Sequence, residues 1–189
     1  MAKNIKYTLS LPLIIVAIFF SNISYAALGN GINYFDNQEY GKAIAEFKPL
    51  VEKGSIKAQN YLAKMYLYGY GVKKDTDQAI KLLKLAAENG DITSQNNLAT
   101  IYYDGFGVKK NYKKALKWFE LSANNGDGKA QIMLAIMNFR GKGMLFKNYK
   151  KAIYWAKIAK ENKNMEDDLI EYIEIIWEEN NLDKYIKNI

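Results

Sequence analysis

A unit of 36 residues recurs along this chain, and this repeat restricts the possible folds more than any other feature. Residues 58–91 and 94–127 carry the same residue types at matching positions: Leu62 and Leu98, Ala63 and Ala99, Tyr66 and Tyr102, Gly69 and Gly105, Gly71 and Gly107, Val72 and Val108, Ala79 and Ala115, Gly90 and Gly126. A third copy keeps Leu134, Ala135, Gly141, Gly143 and, after one inserted residue, Ala152. Periods of about 20–50 residues indicate supersecondary units stacked side by side, so the sequence predicts a solenoid.

The spacing of apolar residues within each full repeat predicts a pair of helices. The first helix of the first full repeat should run from about Ile56 to Tyr68, since its apolar residues recur at helical intervals. It should end at Gly69, because glycine readily adopts the left-handed conformation that terminates helices. Asp75, or Asn111 in the next repeat, offers a side-chain oxygen that can cap the second helix.

The two ends of the array depart from the full repeat. Residues 27–57 are predicted to be a shortened first repeat, in which Gly31, Tyr34, Ala43 and Phe47 have the spacing of a tetratricopeptide helix pair. The full repeats are then assigned to residues 58–93, 94–129 and 130–163. Residues 164–189 are predicted to form an acidic capping helix and tail, because Met165–Glu179 carries apolar residues on one face and acidic residues on the other. Such a cap would cover the apolar end that a stack of repeats otherwise exposes.

The first 26 residues have the composition of a secretory signal peptide. Lys3 and Lys6 precede an apolar run over residues 9–20, and Ser24 and Ala26 are the small residues that signal peptidase requires. We therefore expect cleavage after Ala26 and export to the periplasm or out of the cell. An uncleaved membrane anchor is the alternative, but the apolar run is too short to span a hydrocarbon core of about 30 Å comfortably. No stable transmembrane span is expected after cleavage.

The chain contains no cysteine and no histidine, and this absence removes several kinds of chemistry. Disulfides, thiol nucleophiles and thiolate metal sites are excluded, as are the usual zinc ligand and the usual general base near neutral pH. The Gly-x-Gly turns lack the preceding strand that a dinucleotide-binding loop needs. We expect no catalytic residue, no metal and no cofactor.

Charge is distributed unevenly along the sequence. Residues 27–160 hold 22 basic and 11 acidic groups, whereas residues 161–189 hold 3 basic and 9 acidic groups. These regions could simply be two solvated surfaces of opposite sign, or the basic repeats could recruit acidic partners. Nucleic acid is not expected as a partner, because the chain has no known reading motif and is predicted to be exported.

The repeat resembles a known family. The pattern Ala-x-x-x-Leu-Ala-x-x-Tyr, then Gly-x-Gly-Val, then Ala-x-x-Leu/Trp-x-x-x-Ala-Ala and a final Gly is similar to the Sel1-like repeat, a relative of the tetratricopeptide repeat. This resemblance covers roughly residues 27–160. It implies an all-α fold, a right-handed α–α superhelix (solenoid) of about four helix pairs, here with a C-terminal capping helix. It also implies that the first helix of each pair lines a concave surface.

The resemblance implies a function only as a class. Members of the family are mostly non-catalytic scaffolds that bind proteins, and many bacterial members are exported and act in the envelope. We therefore expect an adaptor that binds a protein or peptide through its concave face. The second candidate is a binder of an anionic envelope glycan or lipid head group. A peptidoglycan- or β-lactam-directed enzyme is third, because the relatives linked to those compounds have cysteine pairs that this chain lacks.

The candidate binding face follows from the helical geometry of the repeat. If the repeat leucine, alanine and tyrosine point into the stack, positions two before and two and five after the leucine point to the concave side. These positions, with one basic residue at the rim, are Asn60, Lys64, Leu67, Asn96, Thr100, Tyr103, Ile132, Ile136, Phe139 and Arg140. The three apolar residues of the last repeat have two possible roles. They are either covered by the C-terminal helix or serve as hydrophobic anchors for a partner.

Overall fold

The computed structural model describes residues 25–162 and three later positions, 171, 175 and 178. Regular structure in this part of the chain is entirely helical, which confirms the predicted all-α fold class. Helix α1 covers residues 25–36. The helices that follow are α2 (Tyr40–Glu52), α3 (Ile56–Tyr68), α4 (Thr76–Glu88), α5 (Ile92–Asp104), α6 (Tyr112–Asn124), α7 (Gly128–Arg140) and α8 (Tyr149–Glu161). The chain divides into two compact units, Met1–Lys74 and Asp75–Ile189.

Within the N-terminal unit, α1 and α2 form the helix pair that the spacing predicts. A short turn joins them, and Gln38 takes a left-handed conformation there with a φ of 61°. Gly31 lies so close to Phe47 that a Cβ atom at this glycine would be 2.5 Å from the ring. The Phe47 ring in turn stacks on Tyr61 of α3, with centroids 5.1 Å apart. The absence of a side chain at Gly31 therefore allows α1 to approach α2 closely.

The helix ends repeat as regularly as the helices do, and the predicted caps are present. Asp75 and Asn111 each accept a hydrogen bond at 2.9 Å from the backbone N–H three residues later. Ser55, Asp91, Asp127 and Asn148 cap α3, α5, α7 and α8 in the same way. Gly69, Gly105 and Gly141 end α3, α5 and α7 in the left-handed conformation, with φ between 69° and 77°. The predicted caps of the second helices and the predicted glycine ends of the first helices are thus confirmed, whereas the caps that begin the first helices were not predicted.

In the C-terminal unit, each helix from α4 to α8 packs against the next one along the chain. Leu98 and Leu134, the repeat leucines of α5 and α7, are fully buried, as the repeat predicts. Ala99 and Ala135 are buried beside them, because a small side chain lets neighbouring helices approach. The core of this unit is thus built from equivalent positions of successive repeats.

A ladder of side-chain amides joins successive helix pairs in the same unit. The buried Gln95 amide nitrogen donates to the carbonyl of Ala87 at 3.1 Å, and its Oε1 accepts from Asn125 at 3.3 Å. One repeat later, Gln131 donates to Ala123 at 3.2 Å and accepts from Asn162 at 3.0 Å. The ladder satisfies polar groups that would otherwise be buried without partners.

Two predicted segments fall largely outside the described residues. The signal segment 1–26 is described only at residues 25 and 26, and the capping helix Met165–Glu179 only at positions 171, 175 and 178, which are helical. No helix among the described residues combines the length and the apolarity needed to cross a membrane.

Candidate protein-binding surface

The N-terminal unit contains three of the predicted surface residues, and they differ in accessibility. Lys64 is exposed, and its ammonium lies 5.1 Å from the ring centroid of Phe35, within cation–π distance. Asn60 is half-buried. Leu67 is buried, so it belongs to the core of this unit and offers little area to a partner.

Helix α5 presents a stripe of three predicted residues, Asn96, Thr100 and Tyr103, spaced four and three residues apart. Thr100 is exposed, and its hydroxyl donates to the carbonyl of Asn96 at 3.0 Å. Tyr103 is half-buried, with its ring edge-on to Tyr112 at 5.3 Å and to Phe119 at 6.4 Å between centroids. Because other aromatic rings hold it from behind, this tyrosine is positioned before any partner arrives. The stripe thus combines an amide, a hydroxyl and a supported aromatic ring.

Helix α7 carries the equivalent stripe, and most of it is buried. Ile132 and Ile136 belong to an apolar cluster that also contains Trp155 and Ala156 of α8. They are therefore covered in the folded protein and are not exposed hydrophobic anchors. Phe139 is half-buried, with its ring 5.7 Å from Tyr149, and Arg140 at the helix end is exposed. The accessible part of this stripe is its C-terminal end.

The candidate surface of the C-terminal unit is therefore narrower than the sequence predicts. It consists of the α5 stripe, with Phe139 and Arg140 as accessible residues of α7. No group of three carboxylate, histidine or cysteine side chains within the described ranges is arranged to hold a metal ion. What the surface offers is recognition by aromatic contact, hydrogen bonding and positive charge.

Sequence reasoning missed one exposed feature, in the loop between α7 and α8. Leu145 and Phe146 project from this loop and are 94% and 81% exposed. A signal was available, because the corresponding loops of the earlier repeats carry the lysine pairs 73–74 and 109–110. The last loop keeps Lys147 before the cap residue but has two large apolar residues in place of the other lysine, one of them inserted. This departure from the repeat is not explained by packing.

The repeated pairs of capped helices define an α-helical repeat protein. The family model of the Sel1 repeat matches residues 56–91, 92–127 and 128–164, which together make up more than half of the chain. The chain therefore belongs to the Sel1 repeat family. Proteins built from this repeat are generally non-catalytic scaffolds for protein interaction.

Solved structures show the same fold. A Sel1 repeat protein from Oxalobacter formigenes is 30% identical with a TM-score of 0.64, over 73% of this chain and 55% of that one. A protective antigen of uropathogenic Escherichia coli that displays the Sel1-like repeat (SLR) fold is also 30% identical, with a TM-score of 0.70, over 83% of this chain and 34% of that one. The chain thus spans about half of the Oxalobacter formigenes protein and about a third of the Escherichia coli protein.

A third structure is similar in fold alone. The cysteine-rich protein B of Helicobacter pylori is 22% identical with a TM-score of 0.53, over 71% of this chain and 94% of that one. None of the proteins with curated descriptions matches the chain.

Proposed function

We propose that this protein is a non-catalytic scaffold that acts in the bacterial envelope or after secretion and binds a protein or peptide partner. The α5 stripe of Asn96, Thr100 and Tyr103 is the proposed contact, with Phe139 and Arg140 as further contacts. The observation that carries the proposal is the half-buried Tyr103 ring, which Tyr112 and Phe119 support from behind.

A supported tyrosine suits recognition for an energetic reason. Tyrosine contributes a large contact area while losing only two side-chain torsions, and the packing of Tyr103 has already restricted them. Residues of this kind often supply most of the binding energy of an interface, while neighbouring polar side chains exclude water. Thr100 and Asn96 are placed to serve as those neighbours, since they lie on the same stripe.

The proposed location depends on the N-terminal sequence. The basic start, the apolar run over residues 9–20 and the small residues before position 27 favour export. Detection of an N-terminus at Ala27 in protein recovered from the periplasm or the medium would support this location. Retention of the full-length chain in the cytoplasm would contradict it.

The contact can be tested with the same charged substitution on two different helices, α5 and α6. Thr100→Arg places a bulky cation in the proposed contact, whereas Asn124→Arg places the same cation at an exposed position of α6, outside the stripe. We expect Thr100→Arg to abolish capture of partners from native envelope extracts and Asn124→Arg to leave it intact, with unchanged circular dichroism for both. Equal capture by the two variants would exclude this surface as the contact.

A second candidate function uses the charge of the repeats. The excess of basic groups over residues 27–160 favours binding of an anionic envelope glycan through long-range attraction. Retention on an anionic glycan column that falls steeply with salt would support this function, because exposed charges are screened. Salt-independent retention, or none, would contradict it.

A further inference from the structure

The loop between α7 and α8, residues 141–148, ends in an apolar tip formed by Leu145 and Phe146. These two side chains are more exposed than any other large apolar side chain among the described residues. Exposed apolar side chains of this size are normally scattered singly over a surface, whereas here two are adjacent on one projecting loop.

The base of this loop is fixed, so the tip is a defined part of the fold. Gly143 has a φ of 83°, and a Cβ atom at this residue would lie 2.6 Å from the carbonyl oxygen of Tyr112. At the other end, the backbone N–H of Asn148 donates to the carbonyl of Asn138 at 2.9 Å, and the Asn148 side chain caps α8. Because both ends are held, Leu145 and Phe146 are directed outward by the backbone between them.

Basic residues flank the tip in the sequence. Residues 128–160 contain eight basic and no acidic residues. Lys142 and Lys147 flank the tip, and their ammonium groups lie 4.7 Å from the Tyr112 ring centroid and 5.6 Å from that of Phe139. These ring contacts place two cations at the base of the loop while the apolar side chains extend beyond them.

We propose that the loop 141–148 inserts Leu145 and Phe146 into the surface of an anionic lipid bilayer, with Lys142 and Lys147 paired to the head groups. Binding of proteins at a membrane surface grows with the apolar area inserted and with attraction to anionic lipids, and the loop supplies both. A specific protein partner is less favoured, because such interfaces bury about 800 Å² on each side, far more than two side chains can provide. This proposal is independent of the protein contact on α5.

A label at the tip can test insertion directly. The chain has no cysteine, so Leu145→Cys creates one site for an environment-sensitive nitrobenzoxadiazole label on the full-length chain. Lys109→Cys is the matched control, because it occupies the corresponding loop one repeat earlier. With vesicles of phosphatidylglycerol and phosphatidylcholine, we expect a blue shift and an increase in emission at position 145 and little change at 109. Vesicles of phosphatidylcholine alone should produce a much smaller response at 145. An equal response at both positions would overturn the proposal. It would show that the protein binds vesicles without selective insertion of this loop, for example through the N-terminal apolar segment.

A second substitution separates insertion from simple charge attraction. Phe146→Lys in the labelled Leu145→Cys chain adds a cation, as in the earlier repeats, and removes an apolar side chain. Insertion predicts that at least about fivefold more anionic lipid is needed for half of the response, because burial of a large apolar side chain is lost. Attraction alone predicts the opposite, a response at lower lipid concentration, and this result would overturn the proposal.

A second copy of the chain is the remaining alternative partner for the apolar tip. If the tip binds a second copy, the label at position 145 will respond to protein concentration without lipid, and the sedimentation mass will rise in parallel. That result would also overturn the proposal.

Discussion

The side-chain amide of Asn125 donates a hydrogen bond to the buried Oε1 of Gln95 at 3.3 Å. Asn125 ends the helix pair α5–α6, while Gln95 also reaches back to the carbonyl of Ala87 at the end of α4. One glutamine therefore connects the ends of two successive second helices. The same arrangement recurs one repeat later at Gln131, so it is shared by two successive helix pairs of the C-terminal unit.

Loss of this glutamine should destabilise the C-terminal unit. Gln95→Met keeps the volume but removes both hydrogen bonds and leaves the carbonyl of Ala87 without this partner. We expect the free energy of unfolding to fall by about 1–3 kcal/mol, because two hydrogen bonds of about 0.5–1.5 kcal/mol each are lost. The carbonyl of Ala87 still accepts from the backbone N–H of Gly90 at 3.0 Å. Urea denaturation measures this change. Asn97→Ala, at an exposed position of the same helix, should stay within about 0.5 kcal/mol of the parent. A Gln95→Met protein as stable as the parent would show that the ladder contributes little.

The repeat leucines should be the most sensitive apolar positions. Leu98 is 1% exposed, so Leu98→Ala should lower the free energy of unfolding by about 2–5 kcal/mol through lost burial and the cavity left behind. Leu121→Ala is the control, because Leu121 lies on the outer side of α6 and is 40% exposed. Its cost should remain below about 1 kcal/mol. Similar losses for the two variants would contradict the assignment of the repeat leucine to the core.

Much of the fold could be predicted because local signals and packing agree in this chain. The predicted first helix, Ile56 to Tyr68, has the observed bounds, since Ser55 caps its start and Gly69 ends it. Local chemistry of this kind is visible in a single sequence. The partners of Gln95 and Gln131 were not predicted, because a buried amide finds its partner only through the stacking of helix pairs.

The candidate site was harder to predict than the fold. Helical spacing places Leu67, Ile132 and Ile136 on the same stripe as Thr100, yet all three are buried. Spacing predicts the direction of a side chain, but it does not show whether neighbouring helices cover that side chain. The α7 isoleucines are covered because they pack in one cluster with residues of α8. The exposed tip at Leu145 was not predicted either, because a break in a repeat does not reveal whether the new residues are buried or exposed.

Asn138 should reveal the cost of a polar residue at a tyrosine position of the repeat. Tyr66 and Tyr102 hold this position in the earlier repeats, whereas Asn138 is 1% exposed. Its nitrogen donates to the carbonyl of Leu134 at 2.8 Å, but its Oδ1 has no hydrogen-bond partner among the described residues. Asn138→Leu should therefore raise the free energy of unfolding by about 1 kcal/mol, because an unsatisfied buried oxygen is replaced by an apolar group of similar size. A fall in thermal stability would indicate that this oxygen is satisfied in solution.

Gly143 should tolerate substitution less well than Gly126, although the two glycines have similar backbone angles. Gly143 and Gly126 both have a left-handed conformation, with φ of 83° and 89°. A Cβ atom would meet the backbone of Tyr112 at Gly143 but would meet nothing within 4 Å at Gly126. Gly126→Ala should therefore cost about 1–2 kcal/mol from the backbone conformation alone. Gly143→Ala should cost about 1–3 kcal/mol more, since a backbone carbonyl cannot rotate away as a side chain can. Equal thermal shifts for the two variants would mean that the loop between α7 and α8 can move away from α6. In that case the outward direction of Leu145 and Phe146 would not be fixed by the fold.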